Sequence, residues 1–352
     1  MKKVLLIHQD SILHYRVSIY NYLSQYLMKR NFELEVISNE IEIENPFPVN
    51  FNFIKTKLTA VNIFNYVIKK KPDAIILFVN LKNFYLFPVI LIAKIYGIKI
   101  IYWGHAIDLE DKNNTVKNLI YSFEHKLADA ILLYSDNLKM HVNKNLHYKV
   151  FVANNTLNTT TYERTIPSRE EIFLKYNIKK TRNIICIGRI QKRKRIYDLI
   201  SAFRIISDID LGLIIVGSDP DGLLNKIEKG NIYKLGPVYG EDAIKLLKLS
   251  YLYCLPGHIG LSIVDAFYCG LPIVTEDVDH APEIMYFKDG VNGFMVKKGD
   301  VNQLAEKLNL LLTDTTLRSK FSKNAKFEIE KYGHISVMCQ GFFNVLDFVF
   351  QN

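Results

Sequence analysis

Short apolar runs alternate with longer segments in which apolar residues recur every three or four positions, and this alternation continues along the whole chain. The runs have the length of strands and lie at Val4–Ile7, Leu34–Ile37, Ala74–Phe78, Ile98–Trp103, Ile131–Tyr134, Val150–Ala153, Ile184–Ile187, Leu213–Val216, Tyr251–Leu255, Leu271–Val274 and Phe294–Val296. Between the first two runs, one helical face is formed by Leu13, Val17, Tyr20, Leu23 and Leu27. The pattern predicts an α/β fold in which helices cover parallel sheets.

A polar stretch near the middle divides this pattern into two halves. Residues 158–181 are mostly polar and include Pro167, and a new alternation begins with the strand at Ile184–Ile187. The chain has 352 residues, and one domain typically has about 100–200. We therefore predict a first domain at residues 1–165, a second at residues 166–331 and a terminal helix at residues 332–352.

Composition limits the partners and the compartment. The net charge of +9 favours anionic partners, but no zinc-finger spacing or RNA-binding aromatic strand accompanies it, so nucleic acid is not an expected partner. The four cysteines form no CxxC pair, which argues against a zinc site or a disulfide framework. The first apolar run is too short for a signal peptide, and the segment Phe84–Tyr96 is interrupted by Lys94. A cytoplasmic protein without a membrane span is expected.

A strongly basic loop follows the strand that opens the second half. It reads Gly188-Arg-Ile-Gln-Lys-Arg-Lys-Arg195. Fixed cations at the end of a strand can stabilise the negative charge that develops on a departing diphosphate. The alternative interpretations are a solvated basic loop and a nucleic-acid patch.

The most informative stretch is Tyr251–Asp300. A strand is followed by a turn, Pro256–Gly260, and then by a helical run that carries Asp265, with Glu283 downstream. Free backbone N–H groups at such a turn favour an anion, and the carboxylates can bind hydroxyls, a combination that suits a sugar nucleotide. An ordinary strand–turn–helix of an α/β domain is the alternative.

These two segments together resemble the donor-binding signature of retaining GT-B glycosyltransferases of the family-4 type, which act in bacterial surface-glycan synthesis. The matching positions include Gly188-Arg189, Lys194, Gly260-Leu261, Ala266, Gly270, Pro272, Pro282-Glu283 and Asn292-Gly293-Phe294. The sequence departs from the family pattern at Arg195 (usually Gly), Gly257 (usually the first Glu), His258 (usually Gly), Ile259 (usually Phe) and Asp265 (usually the second Glu).

The resemblance implies two Rossmann-like domains that face a cleft, with a C-terminal helix that returns to the first domain. It assigns Arg189 and Lys194 to catalysis, as cations on the donor diphosphate. The positions that it assigns to donor binding are Gly188, Gly217, Gly236, Val238, Gly257, His258, Ile259, Gly260, Leu261, Ser262, Asp265 and Glu283. Because Gly257 cannot bond donor hydroxyls as a glutamate does, a deoxysugar donor, or recognition by His258, is a further hypothesis.

The first half supplies candidates for the acceptor side. His105 follows a strong strand, and ligands of doubly wound sheets bind beyond the carboxyl ends of strands. Relatives carry a histidine at this place, so His105 is a catalytic candidate, although a lone histidine is also a common packing residue. His14 and Arg16, near the start of the first helix, are candidates for acceptor or phosphate contact. Arg16 could equally be a surface cation of the helix.

No metal or cofactor is expected. Three Asp-x-Asp triplets begin at Asp208, Asp219 and Asp277. They all lie in the second half and are typical of loop and cap aspartates.

The resemblance implies metal-independent transfer of a hexosyl or deoxyhexosyl group from a nucleotide sugar to a hydroxyl of a glycan or lipid-linked glycan, with retention, in bacterial polysaccharide biosynthesis. A sugar-nucleotide epimerase of the same architecture and a non-catalytic sugar-nucleotide or polyanion binding protein remain alternatives. Lys69-Lys70-Lys71 and the segment Lys112–Lys126 could hold the protein peripherally on the anionic inner face of the cell membrane. A solvated helix face is the alternative.

Overall fold

The computed structural model describes residues 1–43, 45–77, 86–108, 114–228 and 230–351. The chain divides into two units, one formed by Met1–Asn158 with His334–Asn352 and the other by Thr159–Gly333. The first division falls within the polar stretch, ahead of the boundary predicted at residue 165. The last helix belongs to the first unit.

The first unit is built on a seven-stranded parallel sheet in the order β5-β3-β1-β6-β7-β8-β9. Its strands are β1 Lys2–Ile7, β3 Phe32–Ser38, β5 Asn52–Lys55, β6 Ala74–Leu77, β7 Lys99–Gly104, β8 Ala130–Leu133 and β9 Val150–Val152, and a separate pair is formed by β2 Ser11–Ile12 and β4 Glu40–Ile41. Its helices are α1 His14–Met28, α2 Ala60–Lys70, α3 Leu86–Ile95, α4 Thr115–Leu127 and, much later in the chain, α11 Ile335–Gln351.

Both faces of this sheet are buried. Side chains of a strand alternate between faces, so Val4 and Leu6 of β1 pack in one core while Leu5 and Ile7 pack in another. The first core is closed by α1 and α11, and the second by α2, α3 and α4. Burial on both faces explains why the strands read as continuous apolar runs.

The terminal helix α11 packs on α1, β8 and β9, as the sequence led us to expect. Its Phe342 is fully buried and lies edge-to-face on the ring of Trp103, with ring centroids 5.0 Å apart. A glycine, Gly341, allows close approach, since a Cβ there would lie 2.3 Å from the carbonyl oxygen of Val152. The helix is therefore an integral layer of the first unit.

The second unit has a six-stranded parallel sheet in the order β12-β11-β10-β13-β14-β15. Its strands are β10 Arg182–Ile187, β11 Leu211–Val216, β12 Ile232–Lys234, β13 Leu252–Cys254, β14 Ile273–Glu276 and β15 Gly293–Val296. Its helices are α5 Arg169–Lys175, α6 Ile196–Ile205, α7 Gly240–Lys248, α8 Ser262–Tyr268, α9 Val301–Thr313 and α10 Thr315–Glu328. With the first unit, this confirms the predicted α/β fold of two Rossmann-like halves.

The polar stretch at residues 158–181 is more ordered than its composition suggests. It contains a 3₁₀ turn, Thr159–Arg164, and α5. The Ser168 hydroxyl accepts a hydrogen bond from the Glu171 N–H and so caps α5, and Ile172 and Phe173 bury its inner side. A capped amphipathic turn can form in a polar segment because few apolar residues are needed to anchor it.

Within the described residues, no helix is both long enough and apolar enough to cross a membrane. The predicted strand Ala74–Phe78 is confirmed as far as Leu77. Phe78 and the first residues of the segments Phe84–Tyr96 and Lys112–Lys126 lie outside the described residues.

Candidate functional site

Three adjacent strands of the second unit end in glycines that lie against one another. Gly188 follows β10, and its N–H donates to the carbonyl oxygen of Val216 at 2.9 Å. Gly217 follows β11, and its N–H donates to the carbonyl oxygen of Gly236 at 2.7 Å. All three glycines have positive φ angles. A Cβ on Gly217 would lie 2.0 Å from the carbonyl oxygen of Gly188, so no side chain fits there. Val238 is half-buried two residues further along.

The basic loop after β10 docks on the turn after β13 through backbone bonds. Lys192–Lys194 form one 3₁₀ turn. The N–H groups of Gly257 and His258 donate to the carbonyl oxygens of Lys194 and Arg193, both at 3.0 Å. A Cβ on Gly257 would lie 2.0 Å from the Arg193 oxygen. The basic loop therefore leaves no space for a side chain at Gly257, the position of the family's first glutamate.

Lys194 is a half-buried cation at the centre of this arrangement. Its Nζ donates to the carbonyl oxygen of His258 at 2.5 Å. Burial lowers the pKa of Lys194 to about 8, against the opposing influence of Cys186 and with the further lowering effect of Arg193. The ammonium form therefore still predominates at neutral pH. Arg189, by contrast, is exposed on the same loop.

Glu283 lies beside the turn. It is buried, and an ideal Cβ at Gly260 would lie 3.8 Å from a carboxylate oxygen of Glu283. The charge of Glu283 also raises the pKa of Lys194, which places the two groups within electrostatic reach. The structure thus brings Gly260, Glu283 and Lys194 into one site.

Two histidines fix the backbone of the turn. The His258 ring lies with Nδ1 2.9 Å from the carbonyl oxygen of Asp279, which requires Nδ1 to donate. The N–H of Ile259 donates to Nδ1 of His280 at 3.1 Å, and Nε2 of His280 donates to the carbonyl oxygen of Glu276 at 2.9 Å. Burial is the main cause that lowers the pKa of both His258 and His280. Sequence reasoning missed His280, although its place just before Pro282-Glu283 was a signal.

The remaining turn positions are held by the core. Ile259 is fully buried. Leu261 precedes α8, and the hydroxyl of Ser262, the first residue of that helix, lies 2.8 Å from the Tyr253 hydroxyl. The Tyr253 hydroxyl also reaches the carbonyl oxygen of Ile187 at 2.8 Å. One tyrosine thus connects the end of β10 to the start of α8.

Asp265 makes a contact that the sequence did not suggest. The Tyr162 hydroxyl donates to its Oδ1 at 2.9 Å, from the 3₁₀ turn that opens the second unit. Burial raises the pKa of Asp265 to about 7, and the tyrosine bond opposes this shift. The structure thus joins Asp265 to Tyr162, and its role toward a donor stays a prediction.

Arg195 replaces a glycine of the family pattern, and the structure shows how it is accommodated. It adopts the left-handed conformation, with φ of 53°, that glycine usually supplies. Its Nε lies 2.5 Å from Oε2 of the fully buried Glu276, and a second ion pair joins it to Asp198. The Gly299 N–H donates to the same Glu276 oxygen at 3.0 Å. Arg195 is thereby directed toward the end of β14, and sequence reasoning missed Glu276.

The first unit gathers His105 and Arg16 at the carboxyl edge of its sheet. His105 follows β7, and its ring lies edge-to-face on Tyr134 with centroids 4.4 Å apart. Arg16 is buried, with its guanidinium 5.2 Å from the Trp103 ring and 5.8 Å from that of Tyr134. Burial, and then the charge of Arg16, lower the pKa of His105 to about 4. Its Nδ1 is buried without a hydrogen-bond partner in the described part of the chain.

His8 belongs to the same cluster, but His14 does not. Nδ1 of His8 lies 2.7 Å from the Tyr20 hydroxyl, and burial together with Arg16 lowers the pKa of His8 to about 4. The N–H and Nδ1 of His14 both lie 2.9 Å from Oε2 of Glu42. The structure therefore brings Arg16 and His105 together and ties His14 to Glu42 instead.

The first two Asp-x-Asp triplets contain loop-binding carboxylates. Asp219 accepts hydrogen bonds from the N–H groups of Leu223 and Leu224 at 2.9 and 2.8 Å. Asp208 lies 2.7 Å from Arg182 NH1 and accepts a bond from the Asp210 N–H. These contacts are those of cap and loop aspartates.

Comparison with known proteins places the chain in a class. Residues 168–327 match the family described as Glycosyl transferases group 1. The glycosyltransferase of Rickettsia africae ESF-5 superimposes with a TM-score of 0.81 at 15% identity, covering 100% of this chain and 99% of that one. Anabaena HepE in complex with UDP superimposes with a TM-score of 0.76 at 16% identity, covering 99% of this chain and 100% of that one. The chain therefore has the GT-B fold, and residues 168–327 of its second unit are similar to the glycosyltransferase group 1 family.

A curated relative comes from surface-glycan synthesis. The capsular polysaccharide biosynthesis glycosyltransferase CapM of Staphylococcus aureus is 24% identical over 242 residues, which are 61% of this chain and 62% of CapM. The match thus spans less than two thirds of that relative's length.

Proposed function

We propose that the protein transfers a sugar from a nucleotide-sugar donor to a hydroxyl of a glycan or lipid-linked glycan, with retention of the anomeric configuration, in bacterial polysaccharide biosynthesis. The observation that carries this proposal is the half-buried Lys194, docked with its loop on the Gly257–Gly260 turn beside the buried Glu283. The group 1 family match and the relationship to CapM support it.

In this proposal the diphosphate of the donor lies between the basic loop and the glycine-lined strand ends. When the bond between the anomeric carbon and the phosphate oxygen breaks, its electron pair leaves with the diphosphate. Lys194 and Arg189 stabilise that charge, and they act most strongly in the transition state because the charge is largest there. The leaving phosphate oxygen takes the proton of the acceptor hydroxyl, which attacks the same face of the sugar.

Carboxylate and imidazole groups would orient the donor sugar. Glu283 is proposed to accept hydrogen bonds from sugar hydroxyls. His258 is proposed to replace the family's first glutamate as a partner of sugar hydroxyls, since Gly257 has no side chain. Nδ1 of His258 is already bonded to the carbonyl oxygen of Asp279, so Nε2 is the ring nitrogen that would bind the sugar. His105 and Arg16 are proposed to line the acceptor side, where a neutral His105 can bond a hydroxyl.

A screen of UDP-, GDP- and dTDP-sugars with membrane-extracted and soluble glycan acceptors tests the proposal. We expect acceptor-dependent release of one nucleoside diphosphate and an α-linked product from an α-linked donor, determined by NMR of the purified glycan. We further propose that two protein cations suffice for departure of the diphosphate, so that turnover persists in EDTA.

Four other results would redirect the proposal. An inverted linkage would contradict retention. Conversion of the donor without an acceptor would identify an epimerase, and binding without turnover of any donor would identify a sugar-nucleotide binding protein. Full-rate use of UDP-glucose would remove the hypothesis of a deoxysugar donor.

A further inference from the structure

Ile259, in the Gly257–Gly260 turn, is hydrogen-bonded through both of its main-chain polar groups to the segment that follows β14. Its N–H donates to Nδ1 of His280 at 3.1 Å, and its carbonyl oxygen accepts from the Ala281 N–H at 2.9 Å. Ile259 is fully buried. Without the imidazole, its N–H would therefore lose a hydrogen bond and gain none to water, which is costly for a buried donor.

His280 can make this contact in only one protonation state. Its Nε2 lies 2.9 Å from the carbonyl oxygen of Glu276, which can only accept, so Nε2 carries the proton. Nδ1 then has a lone pair and accepts from the Ile259 N–H. A second proton, on Nδ1, would place two donors face to face and break the contact. The neutral Nε2–H form of His280 is thus the form that holds the turn.

The same segment carries the carboxylate proposed above to bind the donor sugar. Glu283 lies three residues after His280, and one of its carboxylate oxygens is 3.8 Å from the place of an ideal Cβ on Gly260. The turn and this carboxylate therefore lie in van der Waals reach of each other. The hydrogen bonds that His280 and Ala281 make to Ile259 are what set the spacing between them.

The charged groups around His280 favour its neutral form. Burial is the largest cause that lowers its pKa, and His258 of the turn and Lys194 of the basic loop lower the pKa further. The hydrogen bond to the Glu276 carbonyl oxygen and the carboxylate of Asp277 oppose this shift without reversing it. Since an ordinary histidine has a pKa of about 6.5, His280 is neutral at pH 7.

We propose that His280 is a positioning residue of the transfer reaction, whose neutral imidazole holds the Ile259 N–H and so sets the Gly257–Gly260 turn at the distance from Glu283 that the donor sugar requires. This inference rests on the proposed function. The basic loop is joined to the turn by separate backbone hydrogen bonds. Loss of the imidazole should therefore disturb the sugar half of the donor and leave the diphosphate half in place.

Three substitutions separate the two ring nitrogens of His280. The side-chain oxygen of His280→Asn lies near the place of Nδ1 and can accept from the Ile259 N–H. The amide of His280→Gln can reach the place of Nε2 instead, and His280→Leu has neither group. We expect His280→Leu and His280→Gln to lower kcat about 10²-fold, since a small misplacement of a bound substrate has this cost. His280→Asn should keep most of the wild-type kcat.

The rates are measured with the UDP-, GDP- or dTDP-sugar that the wild type uses, and binding of the corresponding UDP, GDP or dTDP is measured by calorimetry. We expect the dissociation constant of the nucleoside diphosphate to be unchanged in all three variants. A loss of kcat without a loss of nucleotide affinity is the result that separates positioning of the sugar from general damage to the donor site.

A pH profile adds a readout that a purely structural role would not change. The wild-type kcat should fall at acid pH, below the ordinary histidine pKa of about 6.5, as a second proton breaks the contact with Ile259. His280→Asn should keep its turnover to lower pH than the wild type, because an amide does not titrate. Tyr233→Phe is the matched control. The Tyr233 hydroxyl accepts from the N–H groups of Lys179 and Lys180 at 3.0 and 3.1 Å, and its loss should lower stability without changing kcat.

Urea denaturation first verifies that each variant is folded, and if His280→Leu is not, the comparison of His280→Gln with His280→Asn decides the question. A wild type that transfers sugar from no donor would overturn the proposed function itself. An active wild type matched in kcat by His280→Gln and His280→Leu would overturn the positioning role alone. Equal impairment of His280→Asn and His280→Gln would also overturn it, as would a parallel loss of nucleoside diphosphate binding.

Discussion

In the second unit, the ends of β10, β11 and β12 carry glycines joined by backbone hydrogen bonds, whereas the first unit has His8 at the end of β1 and His105 after β7. One edge is made of main chain and fixed cations, and the other of aromatic and imidazole side chains around Arg16. Under the proposed function, a main-chain site would recognise the diphosphate that UDP-, GDP- and dTDP-sugars share. A side-chain site can change its ligand by substitution, which would suit the proposed acceptor, since acceptors differ between glycans.

Substitution of Lys194 is the strongest test of the difference between the two edges. Lys194→Ala is expected to lower kcat by a factor of about 10²–10³, since a fixed cation on the leaving group acts mainly in the transition state. Arg189→Ala should act in the same direction. Lys192→Ala, an exposed position of the same loop, is the control and should retain wild-type turnover. If Lys194→Ala and Lys192→Ala have equal rates, the loop is only a basic surface.

The close main-chain contacts at the sheet edge of the second unit can be tested by adding a single Cβ at a glycine. Gly257→Ala places a Cβ 2.0 Å from the Arg193 carbonyl oxygen, so the free energy of unfolding should fall by about 3 kcal/mol as the basic loop is displaced. Gly260→Ala meets nothing closer than 3.8 Å and should change stability little. Urea denaturation of both variants makes the measurement, and equal stability would show that the loop yields to the side chain without cost.

The histidines at the sheet edge of the first unit should make the free energy of unfolding depend on pH. His8 and His105 have pKa values lowered to about 4 in the folded protein, below the ordinary value of about 6.5. Between these values the unfolded chain binds more protons than the folded one, so stability decreases as pH falls from 7 to 5, by about 2 kcal/mol per histidine.

Unfolding free energies at pH 7 and 5 check this dependence in the wild type and in His8→Gln and His105→Gln. Each variant should have a shallower pH dependence than the wild type. His147→Gln, on the Lys144–Lys149 turn, serves as the control and should keep the wild-type slope. A wild-type slope that neither His8→Gln nor His105→Gln changes would remove both histidines as its source.

The smallest expected effect concerns Asp265. Its pKa is raised to about 7 in the folded protein, so the folded chain holds a proton that the unfolded chain loses above about pH 4. Stability contributed by this proton is present at low pH and is lost as pH rises through 7. Asp265→Asn should therefore be more stable relative to the wild type at pH 8 than at pH 5. We expect a difference of only about 1 kcal/mol, because the side chain is half-buried and solvent screens its charge. Tyr162→Phe removes the partner and should raise the pKa further. No pH dependence in the difference would refute the assignment.

The sequence predicted the central strands and the edge strands β9 and β15, but it missed the edge strands β5 and β12. β6 and β11 are fully buried apolar runs, and β1 and β10 each contain four consecutive buried residues, so all four strands could be predicted directly. β5 and β12 lie at the edges of their sheets, have four and three residues, and are partly polar. α5 was also missed, although Ser168 followed by Glu171 is a helix-capping pattern.

The sequence identified the separate segments of the candidate site but not the contacts between them. The Gly188–Lys194 loop and the Gly257–Phe294 segment each carry family positions, so both were identified. Their contact joins residues 64 positions apart, as between Lys194 and His258, and no local pattern contains it. For that reason Gly257 was interpreted as a lost sugar ligand, while the structure shows a close backbone contact. The Arg195–Glu276 ion pair was not predicted for the same reason.

The position of α11 constrains the order in which the molecule can be completed during synthesis. Residues Met1–Asn158 leave the ribosome first, but the core that packs α1 against the sheet also needs α11, which is translated after the whole second unit. The Thr159–Gly333 unit can finish folding while its predecessor still exposes Leu23, Leu27 and Trp103 to water or to a chaperone. The half of the protein that is made first is thus the half that matures last.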